Sequence, residues 1–263
     1  MANTQFLMAN KAEQILRISE KRELITNFLK SETFSTPDIL SAVVKMKGQG
    51  AHATLKAMVR DGLLRCIDLP TGHKMQVIYG LTPHAAALAS DFSTGDIVSY
   101  FEPGKVSPWT LQHSLCIQKL RLQLESQGWR DWQSDRQCRR EGQKNAWLKV
   151  PDALAVNPQG ERVALEVERS YKSLKRYPDI FANYLQMMRA GRLNKVHYYC
   201  VGSVTANKMC AIFNGIKKIK IKGQDIALEL RHYQQFQFFD FLTTTKEEFK
   251  CKMQFKTKIY LMR

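Results

Sequence analysis

Acidic residues are scarce in this chain. Its 263 residues carry 40 Lys and Arg against 24 Asp and Glu, a formal charge of +16. An excess of that size points to a polyanionic partner. No hydrophobic run approaches the roughly 18–20 residues that a bilayer crossing needs, so membrane insertion is not expected and nucleic acid is the partner favoured. The opening M-A-N-T-Q-F-L-M-A-N-K has neither the charged nor the long apolar segment of a signal peptide, and a cytoplasmic location is expected. Six cysteines are present, at 66, 116, 138, 200, 210 and 251, without C-x-x-C pairing and without His at zinc-finger spacing. That excludes a recognisable structural zinc site and argues against a disulfide framework. Cys116, Cys200 and Cys210 sit among apolar neighbours and read as buried thiols.

What is present divides in two. Residues 11–32 place Ile15, Leu16, Ile18, Leu24, Ile25, Phe28 and Leu29 at helical spacing, which predicts an amphipathic helix. Ser35-Thr36-Pro37-Asp38 is a helix-start signal, and a short helix over 37–44 should stop at Lys45-Met46-Lys47-Gly48. A third helix, about 49–61, turns Ala51, Leu55, Met58 and Val59 inward and Ala53, Lys56, Ala57 and Arg60 outward. Small residues between cations suit a helix lying in a major groove. Two strands, 62–67 and 75–81, flank a Pro-Thr-Gly-His-Lys tip. Three helices and a basic-tipped hairpin make a winged helix-turn-helix, whose phosphate contacts would fall on Lys45, Lys47, Lys56, Arg60, His73 and Lys74. A structural or adaptor role is the plainer alternative, because helix-turn-helix is a shape and not a function.

Residues 93–108 lose helical period and gather Ser, Thr, Gly and Pro, which places a linker between a domain over 1–92 and another over 109–263. The second domain begins with a helix over 111–127 and a strand over 129–135. Two short runs follow, P-D-A-L-A-V and R-V-A-L-E-V-E, joined by Asn157-Pro158-Gln159-Gly160, as a hairpin requires. Alternation puts Glu166 and Glu168 on one face with Ala164, and Val163, Leu165 and Val167 on the other. With Asp152, three carboxylates could converge on a hard divalent cation. A solvated hairpin face would alternate in the same way, but Arg169, Lys172, Lys175 and Arg176 follow at once, and carboxylates beside a row of cations suit metal-assisted phosphodiester chemistry. A helix over 174–191 and a strand over 196–201 come next. The tail from 217 to 263 alternates Lys with apolar residues. That pattern fits a backbone-tracking surface or an edge protected by charge.

Asp152, thirteen intervening residues and Glu166 resemble the metal core of the PD-(D/E)xK nucleases, which have the restriction-endonuclease-like fold. In that superfamily an Asp and a Glu on adjacent strands bind magnesium, and a Lys two residues after the Glu orients the attacking water. Glu168 occupies the Lys position here, so Lys172 or Lys175 would have to substitute, with Lys149 a weaker option. Glu125, on the helix before the sheet, and Asp135, near the end of the first strand, are further acids that such a site could use. An exposed helical Glu and a turn Asp are their ordinary alternatives. The fold class implied is a two-domain α+β and α/β chain, with a winged helix-turn-helix followed by a restriction-endonuclease-like mixed sheet flanked by helices.

A winged helix ahead of such a core resembles the MobC-class relaxases of mobilisable plasmids, within the broader replication-relaxation family. The similarity spans about residues 10–205. Its most specific parts are Y-G-L-T at the hairpin exit and V-P-D-A-L-A-V…R-V-A-L-E-V-E-R-S-Y-K-S. The resemblance implies a bacterial, plasmid-associated DNA nickase that cuts one strand at a transfer origin to start conjugative mobilisation. It also implies an accessory DNA-binding mobilisation protein and a coupling ATPase as partners. Asp152, Glu166 and Glu168 would then bind Mg²⁺ or Mn²⁺. Lys172 or Lys175 would steady the phosphate, and Arg169 and Arg176 would add DNA contacts. Relaxases of other folds use a Tyr nucleophile with His ligands, and no clustered His motif exists here. Tyr171 and Tyr177 are near enough in sequence to be candidate nucleophiles, although core or helix-surface Tyr is the commoner role. The alternatives are a nuclease of the same fold serving restriction, transposition or repair, and a non-catalytic DNA-binding regulator.

Overall fold

The computed structural model describes residues 2–46, 48–71, 74–93, 97–241 and 259–260. Its contacts divide the chain into two compact units, residues 1–122 and 123–263. Both belong to the mixed α/β class expected. No helix among the described residues is long and apolar enough to cross a membrane.

In the first unit α1 (Ala2–Glu32), β1 (Phe34–Ser35), α2 (Pro37–Val43) and α3 (Gln49–Arg60) precede a hairpin of β2 (Leu64–Thr71) and β3 (Lys74–Leu81). β1 adds to β3, giving an antiparallel sheet in the order β1-β3-β2. The helix–helix–helix–hairpin order is thus present. Pro37 opens α2 behind Thr36, with Asp38 in the first turn, where its charge favours the positive helix end. Leu55 and Met58 of α3 share a core with Ile25, Leu29, Ile39 and Leu40, and Ala51 is buried as well, while Lys56 and Arg60 stay exposed. α1 departs from expectation. Ile25, Phe28 and Leu29 are core residues, but Ile15, Leu16, Ile18 and Leu24 are exposed, because the helix extends past the elements that cover its C-terminal third.

Thr82 ends the hairpin and starts α4 (Pro83–Ala89). Its Oγ1 accepts from the Ala85 N–H at 3.1 Å and donates to the Gly62 carbonyl at 2.6 Å. The segment read as linker is not bare, since Phe101 is 1 % exposed and packs in the first core. It lies so close to Gly80 that a Cβ there would stand 2.3 Å from the Phe101 Cβ. α5 (Pro108–Ser126) supplies Leu111 and Leu115 to the same core, and its Gln118 side chain bonds Ser35 Oγ and the Phe34 carbonyl.

The second unit holds β4 (Arg130–Ser134), α6 (Asp135–Lys144), β5 (Ala153–Val156), β6 (Arg162–Glu168), α7 (Tyr177–Arg189), β7 (Lys195–Cys200), α8 (Ser203–Gly215), β8 (Lys218–Ile221), β9 (Gln224–Ala227), α9 (Leu230–Tyr233), β10 (Phe236–Asp240) and β11 (Ile259–Tyr260). The main sheet runs β11-β10-β7-β6-β5-β4. β6, β7 and β10 are parallel, and the remaining pairs are antiparallel. Leu154, Ala164, Val196, Tyr198 and Phe238 share one core with Phe181 and Tyr184 of α7 and Met209 and Phe213 of α8. Val163, Leu165, Val167, His197 and Tyr199 are buried as well, so both faces of the sheet are covered.

The hairpin at β5 and β6 follows from its turn. Asn157 Oδ1 accepts from the Gln159 and Glu161 N–H groups, and Gly160 takes φ +82°, a conformation glycine adopts without steric cost. The elements of this unit differ from the sequence reading in two ways. α6, α8 and α9 have no counterpart in it, and the helix expected over 174–191 is a 3₁₀ turn, Leu174–Arg176, followed by α7. Pro178 lies in the first turn of α7, a position suited to starting a helix rather than continuing one. The basic tail is described only in part: β8 and β9 pair as a small hairpin, and positions 242–258 and 261–263 lie outside the described residues.

Candidate active site

β6 carries the two glutamates through the middle of the sheet. Its burial is continuous from Val163 onward, with Glu166 3 % and Glu168 6 % exposed. A carboxylate so placed must be compensated, and each has its own lysine. Glu166 Oε1 accepts from Lys149 Nζ at 2.6 Å and also from the hydroxyl of Tyr184, a fully buried residue of α7. Glu168 Oε2 accepts from Lys172 Nζ at 2.5 Å.

Asp152 enters from the neighbouring strand. Ala153 faces Leu165 across the antiparallel ladder, and one residue earlier Asp152 Oδ2 accepts from the Val167 N–H at 2.9 Å. The aspartate therefore closes the ladder where β5 begins, and its charge is felt by Glu166. Burial pushes the Glu166 carboxyl above the ordinary range, Lys149 pulls against that shift, and Asp152 adds to it. Burial works against the charged form of Lys172, but the hydrogen bond and charge of Glu168, with Glu166 and Asp152 behind it, raise its pKa on balance. Lys172 is therefore held as an ammonium.

The structure thus brings Asp152, Glu166, Glu168, Lys149 and Lys172 together. Among the described residues no three carboxylate, imidazole or thiol side chains are gathered closely enough to hold a cation between them. Lys175 and Arg176, in the 3₁₀ turn, and Arg169 are exposed on the segment that leaves β6. Tyr177 is fully buried, and its hydroxyl accepts from the Lys172 backbone N–H at 2.9 Å, so it pins the lysine-bearing loop. Tyr171 is exposed, with Lys208 Nζ 4.2 Å from its ring centroid.

Glu125 is an exposed residue of α5. Asp135 is the first residue of α6 and pairs with Arg139 at 2.9 Å, so it serves the helix start. In the first unit Lys45, Lys56 and Arg60 are exposed, and Arg60 bonds Asp61. Lys47 and His73 lie outside the described residues, and Lys74 opens β3.

Sequence reasoning missed two groups. Tyr184, in Y-P-D-I-F-A-N-Y, carries no local mark separating it from a core aromatic. Asp240 ends β10 in register with Cys200, which is itself in register with Glu168. Its Oδ1 is buried with no hydrogen-bond partner among the described residues.

No curated protein and no solved structure matches this chain. A family model does, over residues 27–200, a span that takes in α2, α3, the first hairpin and every acid and lysine of the β6 cluster. With well over half of its length matched, the chain belongs to the Replication-relaxation family, which ties it to the processing of DNA.

Proposed function

We propose that the protein is a metal-dependent, strand-specific DNA nickase, a relaxase that opens one strand at a plasmid transfer origin. On this reading the first unit is a winged helix that grips duplex through Lys45, Lys56, Arg60 and the hairpin, and the second is a restriction-endonuclease-like nuclease. One observation carries it: buried carboxylates on a central strand, each with a lysine, beside the exposed cations Arg169, Lys175 and Arg176. Core carboxylates of this kind are costly and tend to mark functional sites.

The carboxylate oxygens at the cluster suit Mg²⁺ or Mn²⁺. Asp152 and Glu166 would hold the ion, with Glu168 joining once Lys172 turns to a phosphate. Bound there, the ion supplies Lewis acidity at the phosphodiester. Lys172, already an ammonium, stabilises the negative charge that develops at phosphorus. Water is the nucleophile on this reading, because Tyr177 is sealed in the core and Tyr171 is turned to Lys208. An accessory DNA-binding mobilisation protein and a coupling ATPase belong to the same reading, as does a plasmid-associated place in the bacterial cytoplasm.

The lysine pairing also favours a second reading, in which these are structural ion pairs in a DNA-binding regulator. Conversion of supercoiled plasmid carrying a transfer origin to open circles separates the two. Nicking that needs Mg²⁺ or Mn²⁺ and falls at least a hundredfold in both Asp152→Ala and Glu166→Ala is expected. Nicking at wild-type rate in both variants would remove the cluster from the chemistry.

A further inference from the structure

We propose that the mouth of the β6 cluster seats unpaired bases, so that the second unit takes DNA as a single or locally melted strand. This inference rests on the nuclease reading above and names its substrate form. Single exposed apolar residues are ordinary, but four large ones sit on the segments that flank this cluster. β6 and β7 are parallel neighbours, and the Val201 N–H bonds the Glu168 carbonyl at 3.0 Å just beyond the end of β7. Tyr171 and Leu174 follow β6, and Val204 lies in the first turn of α8 after β7. They are 37 %, 63 % and 76 % exposed. Tyr171 and α8 meet directly, since Lys208, one turn beyond Val204, lies over the tyrosine ring. Leu148 is 61 % exposed and immediately precedes Lys149, whose ammonium is on Glu166.

Charge selects the occupant. Arg169, Lys175, Arg176 and Lys208 are exposed around these residues, and Asp179 in the first turn of α7 is the exposed acid among them. A second copy of this surface would bring cations against cations, whereas a nucleic-acid strand offers phosphates to the cations and flat bases to the tyrosine and aliphatic side chains. Aromatic platforms between backbone-tracking cations are how single strands are held without sequence preference. A closed duplex keeps its base faces stacked inside and cannot use them.

The test is binding of the full-length protein, in EDTA, to a fluorescently labelled 20-nucleotide single strand and to a hairpin duplex of the same sequence, read by anisotropy. The double variant Tyr171→Ala/Leu174→Ala changes exposed side chains only. We expect it to lose about tenfold or more on the single strand, the loss of a stacked base, and to stay within twofold on the duplex. Tyr171→Phe keeps the ring and should bind within threefold of wild type. Equal weakening on both DNAs would reduce the surface to phosphate attraction and overturn the proposal. So would unchanged affinity, or a wild-type dimer that the double variant breaks in sedimentation. Because no metal is present, this result is separable from the nicking reading. If Asp152→Ala nicks normally while the double variant still loses single-strand affinity, the base seat stands and the assigned chemistry falls.

Discussion

His197 offers a test of the packing that is independent of any activity. It lies on β7, on the sheet face away from Glu166, with ring centroids 5.5 Å from Trp129 and 4.9 Å from Phe239. Both ring nitrogens are buried with no hydrogen-bond partner among the described residues. Burial, with the nearby Lys195 charge, pulls its pKa from 6.5 down to about 3. The folded state therefore keeps the imidazole neutral while the unfolded chain takes up a proton near pH 6.5. The unfolded state binds more protons between these values, so stability is lost as pH falls across that window and this share is intact above it. From pH 7.5 to pH 5 the loss covers about 1.5 pKa units, or ~2 kcal/mol at 1.36 kcal/mol per unit. His197→Phe deletes that share. Any overpacking by the larger ring does not depend on pH, so the difference between the two pH values isolates the histidine. Urea unfolding at pH 7.5 and pH 5, followed by tryptophan fluorescence, reports on it, because Trp129, Trp132 and Trp147 all lie in the second unit. The wild type should lose about 2 kcal/mol more than the variant over that interval. Parallel losses in the two proteins would refute a neutral, unbonded His197.

Three further outcomes are expected. Lys149→Met leaves Glu166 buried with only Tyr184 as donor, which should cost about 2–4 kcal/mol at pH 7.5. The deficit should shrink at pH 5, where the carboxyl, already raised by burial, can take a proton; a pH-independent deficit in urea unfolding would contradict the pairing. Gly80→Ala forces a Cβ against Phe101 and the Thr33 carbonyl and should lower the stability of the first unit by about 1–3 kcal/mol, measured by thermal melting. Lys56→Ala should flatten the salt dependence of duplex binding by about one counterion without changing sequence preference; an unchanged slope would take α3 away from the phosphates.

The parts of this molecule that could be read from the chain are those whose cause is local. Asn157 to Gly160 specify their own turn, and the alternation of R-V-A-L-E-V-E places Glu166 and Glu168 together on one side. Alternation also suggested a polar face open to water, and there the reading stops, because α7 and α8 come from elsewhere to cover it. The partners of the acids are legible only in three dimensions. Lys149 reaches Glu166 across 17 positions and Tyr184 across 18. α6 went unread because D-R-Q-C-R-R-E-G-Q-K has almost no apolar period. Its signal was the capping pair Ser134 and Gln137, whose Oε1 accepts from the Ser134 N–H at 2.9 Å. Phe101 hid in a stretch of Gly, Pro and Ser, and its seat is made by Gly80, twenty-one positions away.

The position of β6 sets how the cluster behaves in time. Laddered on both sides, by β5 and by β7, the strand belongs to the elements that open last, and its amides should be among the slowest in the second unit to exchange with deuterium. Lys149 and Lys172 sit on irregular segments outside the ladder, and the Lys172 segment is held by the buried Tyr177 hydroxyl. The negative charges are thus anchored to sheet backbone and the positive ones to loops, so that rotation of a lysine side chain breaks either ion pair without opening the sheet.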